Sequence, residues 1–160
     1  MNNEAELTEQ EKSIWDNLVQ TYLQFAQASS DFTKSSINRV KIIRKGLQSK
    51  NRTTAIYFLK VLKQDEIQEL FSELVYLASF NHGAILAIRE SILSLPREWV
   101  LSHIENAAES YLSEDDGEAY RRFLELYQQI DSKLMEKLAN RAVRSENVDA
   151  KEAGMDFLGL

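Results

Sequence analysis

The sequence contains no cysteine, only one proline and only five glycines among its 160 residues. Without cysteine the chain has no disulfide bond, no thiolate nucleophile and no cysteine-ligated metal. β-Rich folds need many turn residues, and a chain with so little proline and glycine does not supply them. The abundant Leu, Glu, Ala, Gln and Lys favour helices instead. The composition therefore predicts an all-α fold.

Long apolar runs are missing as well. No stretch approaches 18 apolar residues, so we expect no membrane-spanning helix and no membrane partner. The first residues, Met-Asn-Asn-Glu-Ala-Glu, are acidic and polar, whereas a secretory signal has a basic start and an apolar run. We therefore expect a cytoplasmic protein. The length predicts a single helical domain over residues 1–160, with residues 1–50 as a cap or an irregular helical part.

Acidic residues are absent from one block of the chain. Residues 32–63 carry nine Lys or Arg and no Asp or Glu, while the other 128 residues carry 10 basic and 25 acidic side chains. The block contributes +9 and the rest −15, which gives the net charge of −6. This segregation indicates a surface with two poles. The nine cations are Lys34, Arg39, Lys41, Arg44, Lys45, Lys50, Arg52, Lys60 and Lys63.

Apolar periodicity predicts about nine antiparallel helices joined by short connections. Thr8 and Glu11 form a capping-box signal before the first of them. Ile14, Leu18, Tyr22 and Phe25 then recur on one face, and Trp15 lies at the edge of that face as a half-exposed candidate binding anchor. A second helix is predicted from Thr33 to Leu47, with Val40 and Ile43 facing inward. Asp65 with Gln68, and Asp131, are further predicted caps.

Two segments of the chain look alike at a spacing of 64 residues. Each has a Leu-x-x-x-Leu pair, an alanine four residues later, a polar turn, and then an alanine close to a basic residue and a glutamate. The segments are Leu70–Glu90 and Leu134–Glu152. Self-similarity at a fixed spacing is typical of stacked helix pairs.

Over Leu134–Leu158 the chain resembles a unit of the HEAT-repeat α-solenoids. In that family two antiparallel helices flank a short turn with Asn or Asp, and the second helix starts with a small or branched residue next to Arg or Lys. Asn147–Ala153 follows this pattern, and Asn81–Glu90 follows it loosely. The resemblance covers the C-terminal two thirds and lacks the proline often found in the first HEAT helix. It implies a scaffold that binds proteins along one face. Some similar proteins are chromophore lyases, and others bind or repair DNA.

The basic block supplies the candidate site. On the predicted helix Thr33–Leu47, Lys34, Lys41 and Lys45 lie within about 40° of one another, opposite the apolar face, with Arg44 beside them. The full set of candidate partner-binding residues is Lys34, Arg39, Lys41, Arg44, Lys45, Lys50 and Arg52. A solvated helix face neutralised by the acidic helices is the simpler interpretation. A docking surface for an acidic partner is the functional one.

Nucleic acid is an alternative ligand for these cations, because clustered Lys and Arg release counterions from phosphates. Nucleic-acid-binding domains usually have a basic pI, however, and the pI of this chain is about 5.0. No aromatic side chain interrupts the basic stripe to stack on a base. As the partner of these cations, we therefore favour another protein or a second copy of this chain over nucleic acid.

No other group of residues predicts a cofactor, a metal or a catalytic set. The acidic turn Glu114–Glu118 lacks the twelve-residue ligand spacing of a calcium loop. His82 and His103 are isolated, whereas zinc needs three or four converging ligands. We therefore expect a non-enzymatic interaction module or adaptor that docks an acidic or amphipathic partner. The alternatives are a nucleic-acid-binding helical-repeat protein, a lyase-like helical enzyme and a self-assembling structural protein.

Overall fold

The computed structural model describes residues 6–112 and 116–160, and within those ranges it contains helices and connections but no strand. The prediction of an all-α fold is confirmed. The described residues form ten α-helices where about nine were predicted, together with a short 3-10 helix, Leu59–Val61. The α-helices are α1 (Glu9–Lys34), α2 (Arg39–Leu47), α3 (Arg52–Phe58), α4 (Gln64–Glu69), α5 (Phe71–Ala78), α6 (Ile85–Leu93), α7 (Arg97–Leu112), α8 (Gly117–Ile130), α9 (Ser132–Ala142) and α10 (Val148–Leu158).

The chain divides into two compact units at the α1–α2 connection. The first unit ends at Asn38, and the second runs from Arg39 to Leu160. The prediction of a single domain over residues 1–160 stays a prediction. Among the described residues, no helix combines the length and the apolar character that crossing a bilayer requires.

The first unit contains α1, a helix of 26 residues. Its predicted capping box is confirmed, because the Thr8 N–H donates to the Glu11 carboxylate at 2.7 Å and the Glu11 N–H donates to the Thr8 hydroxyl at 3.3 Å. The predicted second helix from Thr33 to Leu47 is wrong. Helix α1 ends because Ser35 adopts an extended backbone, with φ −69° and ψ 148°, and its N–H and hydroxyl both donate to the Asp31 carbonyl oxygen. No side chain of α1 is buried.

The second unit contains the hydrophobic core. Within its N-terminal part, α2 packs against α3 and α5 packs against α6. Leu70, Leu74, Val75, Ile88 and Ile92 are completely buried there. Helix α4 begins one residue earlier than the predicted Asp65 cap, so that prediction is wrong. The Lys63 N–H that precedes α4 donates instead to the Glu66 carboxylate at 2.8 Å.

The last three helices, α8, α9 and α10, pack against one another and close the C-terminal part of the core. Phe123, Leu124 and Leu126 of α8 are fully buried. The predicted Asp131 cap is confirmed, since its carboxylate accepts the Leu134 N–H at 3.0 Å. Asn147 caps α10 by accepting the N–H groups of Asp149 and Ala150.

The two similar sequence segments correspond to helix pairs that pack internally. The first segment covers α5 and α6, and the second covers α9 and α10. Each pair therefore has the local form that the pattern predicts. The repeat relation between the pairs and the likeness to HEAT units stay predictions.

Candidate interaction surface

Helix α2 carries the centre of the basic block and is oriented by its apolar residues. Val40, Ile43 and Leu47 are buried, as the periodicity predicted. At 100° per residue, Lys41 and Lys45 then point away from the core and lie about 40° apart. Both side chains are exposed. Ile42 lies next to them and is 47% exposed, so the outer face of α2 presents two ammonium groups beside an apolar side chain.

Two of the predicted site residues are held in ion pairs within the second unit. The Arg39 guanidinium donates to both carboxylate oxygens of Glu66, with Nε–Oε1 at 2.9 Å and Nη2–Oε2 at 3.1 Å. Arg44 contacts the Glu73 carboxylate through Nε and donates from Nη2 to the Glu69 carbonyl oxygen at 2.6 Å. These arginines join α2 to α4 and α5, and their charges are already matched by carboxylates.

The Arg39–Glu66 pair is nearly enclosed, with side-chain exposures of 14% and 15%. Burial alone would raise the pKa of Glu66. The hydrogen bonds from the Arg39 guanidinium and the Lys63 N–H outweigh burial, and they hold that pKa below its ordinary value. This pair therefore serves the fold, because the two groups bond to each other and are largely shielded from solvent.

Arg52 and Lys50 lie after the C-terminal end of α2. The Arg52 Nε donates to the Leu47 carbonyl oxygen at 2.9 Å, which occupies one of the unpaired carbonyls that a helix leaves at its end. Lys50 is exposed in the connection to α3. Of the predicted cations in the second unit, three arginines are thus engaged with their own chain. The three lysines, Lys41, Lys45 and Lys50, are exposed to solvent.

Lys34, the remaining predicted cation, belongs to the first unit. It lies in the last turn of α1 and is exposed. The four-residue break at 35–38 separates it from α2, so the single helix on which Lys34, Lys41 and Lys45 were predicted to share a face does not exist.

A groove of about 290 Å³ starts where α2 ends. Leu47 and Leu77 form its apolar part, and Arg52 and Glu73 supply its charges. Two aromatic rings, Tyr76 and Tyr111, lie against each other in it with centroids 5.6 Å apart. Tyr76 is 48% exposed. Tyr and Arg beside apolar side chains are the composition of strong protein-binding positions.

Both histidines are engaged locally. The backbone N–H of Ala84 donates to Nδ1 of His82 at 3.3 Å, so Nε2 carries the proton and donates to the Leu77 carbonyl oxygen at 2.8 Å. His103 is exposed and stacks on Trp99 at a centroid distance of 4.0 Å. Over residues 6–112 and 116–160, no group of three or more His, Asp or Glu side chains is arranged to hold a metal ion. Of the predicted acidic turn Glu114–Glu118, residues 114 and 115 lie outside the described ranges.

A charge cluster that the sequence did not indicate joins α6 to α8. Arg89 is only 6% exposed and donates to the Glu125 carboxylate at 2.6 Å and to the Arg122 carbonyl oxygen at 3.1 Å. Arg122 donates to the same carboxylate. Glu125 thus serves two guanidinium groups, and the cluster holds two helices together. The neighbouring Arg121 lies outside this cluster and pairs with Asp156 of α10 at 2.7 Å.

Comparison of the chain with known proteins finds no matching family model, no matching curated protein and no matching solved structure.

Proposed function

We propose that this chain is a non-enzymatic interaction module that docks an acidic segment of another protein on the outer face of α2. The observation that carries the proposal is the exposure of Lys41 and Lys45 beside the exposed Ile42. Two ammonium groups next to an apolar side chain suit a partner that carries carboxylates and at least one apolar anchor. An amphipathic acidic helix or strand has this chemistry.

The charge distribution along the chain supports the same partner. Residues 32–63 contain no carboxylate side chain, so any carboxylate that neutralises a cation of this block lies outside it in the sequence. Two acidic side chains from α4 and α5, Glu66 and Glu73, contact Arg39 and Arg44. The groove with Tyr76 and Tyr111 offers an apolar site that begins at the end of the same helix. A partner that follows α2 toward Leu47 would meet first positive charge and then aromatic surface.

Two further features belong to the proposal. We propose that the pairs α5–α6 and α9–α10 are HEAT-type units, a view supported by their internal packing and by the Asn147 cap at the start of α10. We place the interaction in the cytoplasm, which agrees with the absence of cysteine.

The test exchanges charge on the outer face of α2. Lys41→Glu/Lys45→Glu should weaken capture of the native partner at least tenfold, because each reversal replaces an attraction with a repulsion. The matched control is Lys133→Glu/Lys151→Glu, which makes the same change of charge at two exposed lysines of α9 and α10. Capture from the native cell, quantified for wild type and both variants, provides the measurement. Equal capture by the α2 variant and wild type would reject the proposal.

The wild type and the same two variants also test the alternative that the lysines bind nucleic acid. Duplex DNA and single-stranded RNA are titrated at low and at physiological salt, and the proposal expects no specific binding. Affinity that falls steeply with salt and is lost in Lys41→Glu/Lys45→Glu would assign the lysines to phosphates instead. The described structure gives this alternative little support, because the exposed Tyr57 ring is covered by the Lys60 ammonium at 3.6 Å rather than open to a base.

A further inference from the structure

Helix α1 presents a long apolar face to solvent. At 100° per residue, Ile14, Leu18, Tyr22 and Phe25 lie within about 80° of one another, and Trp15 lies at the edge of that face. Their exposed fractions run from 42% for Phe25 to 66% for Tyr22. A helix of 26 residues is about 39 Å long. Isolated helices are only marginally stable in water and are normally stabilised by burial of such a face.

The spacing along this face is that of a coiled-coil seam. Steps of four and three residues alternate from Ile14 to Phe32, which places two interleaved sets of positions on one side of the helix. One set is Ile14, Thr21 and Ala28, whose side chains become smaller along the chain. The other set is Leu18, Phe25 and Phe32, a leucine followed by two phenylalanines, of which Phe32 is half-buried.

We propose that α1 pairs in antiparallel orientation with α1 of a second copy of this chain. With residue 23 at the centre, each member of one set lies opposite a member of the other. The layers are Ile14 with Phe32, Leu18 with Ala28, and Thr21 with Phe25. The two-fold axis of the pair repeats each of these layers on the other side of the centre. In the layers that contain Ala28 and Thr21, a large side chain meets a small one. Protein interiors favour such even filling of layers.

The parallel orientation fits the same sequence less well. It would place each residue opposite its own copy, so that layers of two phenylalanines alternate with layers of two alanines or two threonines. It would also bring two Glu11 carboxylates together, since Glu11 is the next position of the seam toward the N-terminus. In the antiparallel pair Glu11 lies level with Ser35 of the second copy, beyond the end of that helix.

The exposed apolar area of α1 and the charge of this helix favour a second copy of the chain over a lipid surface. The five exposed side chains present on the order of 500 Å² per copy, so a pair would bury about 1,000 Å², which reaches the range of specific interfaces. A lipid surface is disfavoured, because α1 carries four acidic and two basic residues, whereas membrane-surface helices are rich in Lys and Arg. This interface is separate from the lysines of α2, so either proposal can fail without the other.

The first experiment measures mass by sedimentation equilibrium over a range of concentrations. The wild-type mass should rise from 18.4 kDa toward twice that value. Leu18→Glu should stay monomeric, while Leu23→Glu should behave as wild type. The two leucines belong to the same helix and are 58% and 54% exposed, but Leu23 lies on the far side of the helix from the seam. A wild type that stays monomeric at every concentration, or equal dissociation by both variants, would overturn the proposal.

The second experiment fixes the orientation and leaves the seam intact. The natural chain has no cysteine, so single cysteines can be cross-linked with a short bis-maleimide without background. Gln24→Cys lies beside the two-fold axis and should cross-link to itself. Asn17→Cys and Asp31→Cys should cross-link only when mixed, because each lies about 20 Å from its own copy in an antiparallel pair. Efficient cross-linking of Asn17→Cys to itself would show the parallel orientation and contradict the proposal.

Discussion

At the scale of single residues, Glu66 shows how one carboxylate holds several parts of the chain. It accepts two hydrogen bonds from Arg39 of α2 and one from the Lys63 N–H at the start of α4. All three donors favour the charged form of the carboxylate, which is why the pKa of Glu66 lies below its ordinary value of 4.5 despite burial. The stabilisation from this residue therefore depends on its ionisation.

We expect Glu66→Gln to lower the free energy of unfolding by about 1–3 kcal/mol at neutral pH, because it removes a charge-assisted hydrogen-bond pair. A carboxyl group with a lowered pKa in the folded state contributes its full stabilisation above its ordinary pKa and loses it as the pH falls through the folded value. The difference between wild type and Glu66→Gln should therefore shrink as the pH falls from the ordinary pKa of 4.5 through the lower pKa of folded Glu66. Urea unfolding at several pH values provides the measurement.

The control for this prediction is Glu69→Gln, in the same helix. The Glu69 side chain is exposed, and the contact of this residue with Arg44 uses its carbonyl oxygen rather than its carboxylate. Its replacement should change stability by less than about 0.5 kcal/mol. A difference between wild type and Glu66→Gln that stays constant down to acid pH would contradict the role assigned to the ionised carboxylate.

At the scale of helices, α9 and α10 approach each other closely at Gly154. A Cβ added at Gly154 would lie 2.7 Å from the Ala139 carbonyl oxygen and 2.8 Å from the Val143 backbone nitrogen. Both are backbone atoms, so a helix would have to move to make room. The absence of a side chain at Gly154 is thus what lets α10 lie against the end of α9.

We expect Gly154→Ala to lower the free energy of unfolding by about 1–3 kcal/mol, because the overpacking outweighs the better helix propensity of alanine. Gly83→Ala is the matched control, since a Cβ there would meet nothing within 4 Å. That variant should stay within about 0.5 kcal/mol of wild type. Chemical denaturation of both variants tests the prediction, and it fails if the two substitutions have the same effect.

At the scale of the whole molecule, the hydrophobic core belongs to one of the two units. Every buried side chain among the described residues lies between Val40 and Gly154, whereas α1 buries none. Folding cooperativity follows buried apolar contacts. The second unit therefore contains the buried apolar core that a stable domain requires.

We expect a fragment of residues 39–160 to unfold cooperatively, with a thermal midpoint within about 4 °C of the full chain at low protein concentration, which corresponds to less than about 1 kcal/mol. Circular dichroism of both proteins provides the measurement. Low concentration matters because association of the full chain would raise its midpoint by mass action. A fragment that fails to fold, or melts far below the full chain, would show that residues before Arg39 contribute to the core.

The sequence alone determined the fold class and much of the local structure. Scarce glycine and proline, together with the apolar period, predicted an all-α protein, and local pairs such as Thr8 with Glu11 predicted helix starts. These features succeed because they depend on residues within one helical turn. The exposed Trp15 and the inward face of α2 followed from the same periodicity.

Only the tertiary structure decided which cations of the basic block are exposed. Arg39 and Arg44 meet Glu66 and Glu73, which lie 27 and 29 residues away in the sequence, and no local pattern indicates such distant partners. The structure also placed the break at 35–38 that separates Lys34 from α2. The sequence shows where the charges lie along the chain. Which of them form ion pairs depends on how the helices pack, and packing depends on contacts between residues that are far apart in the sequence.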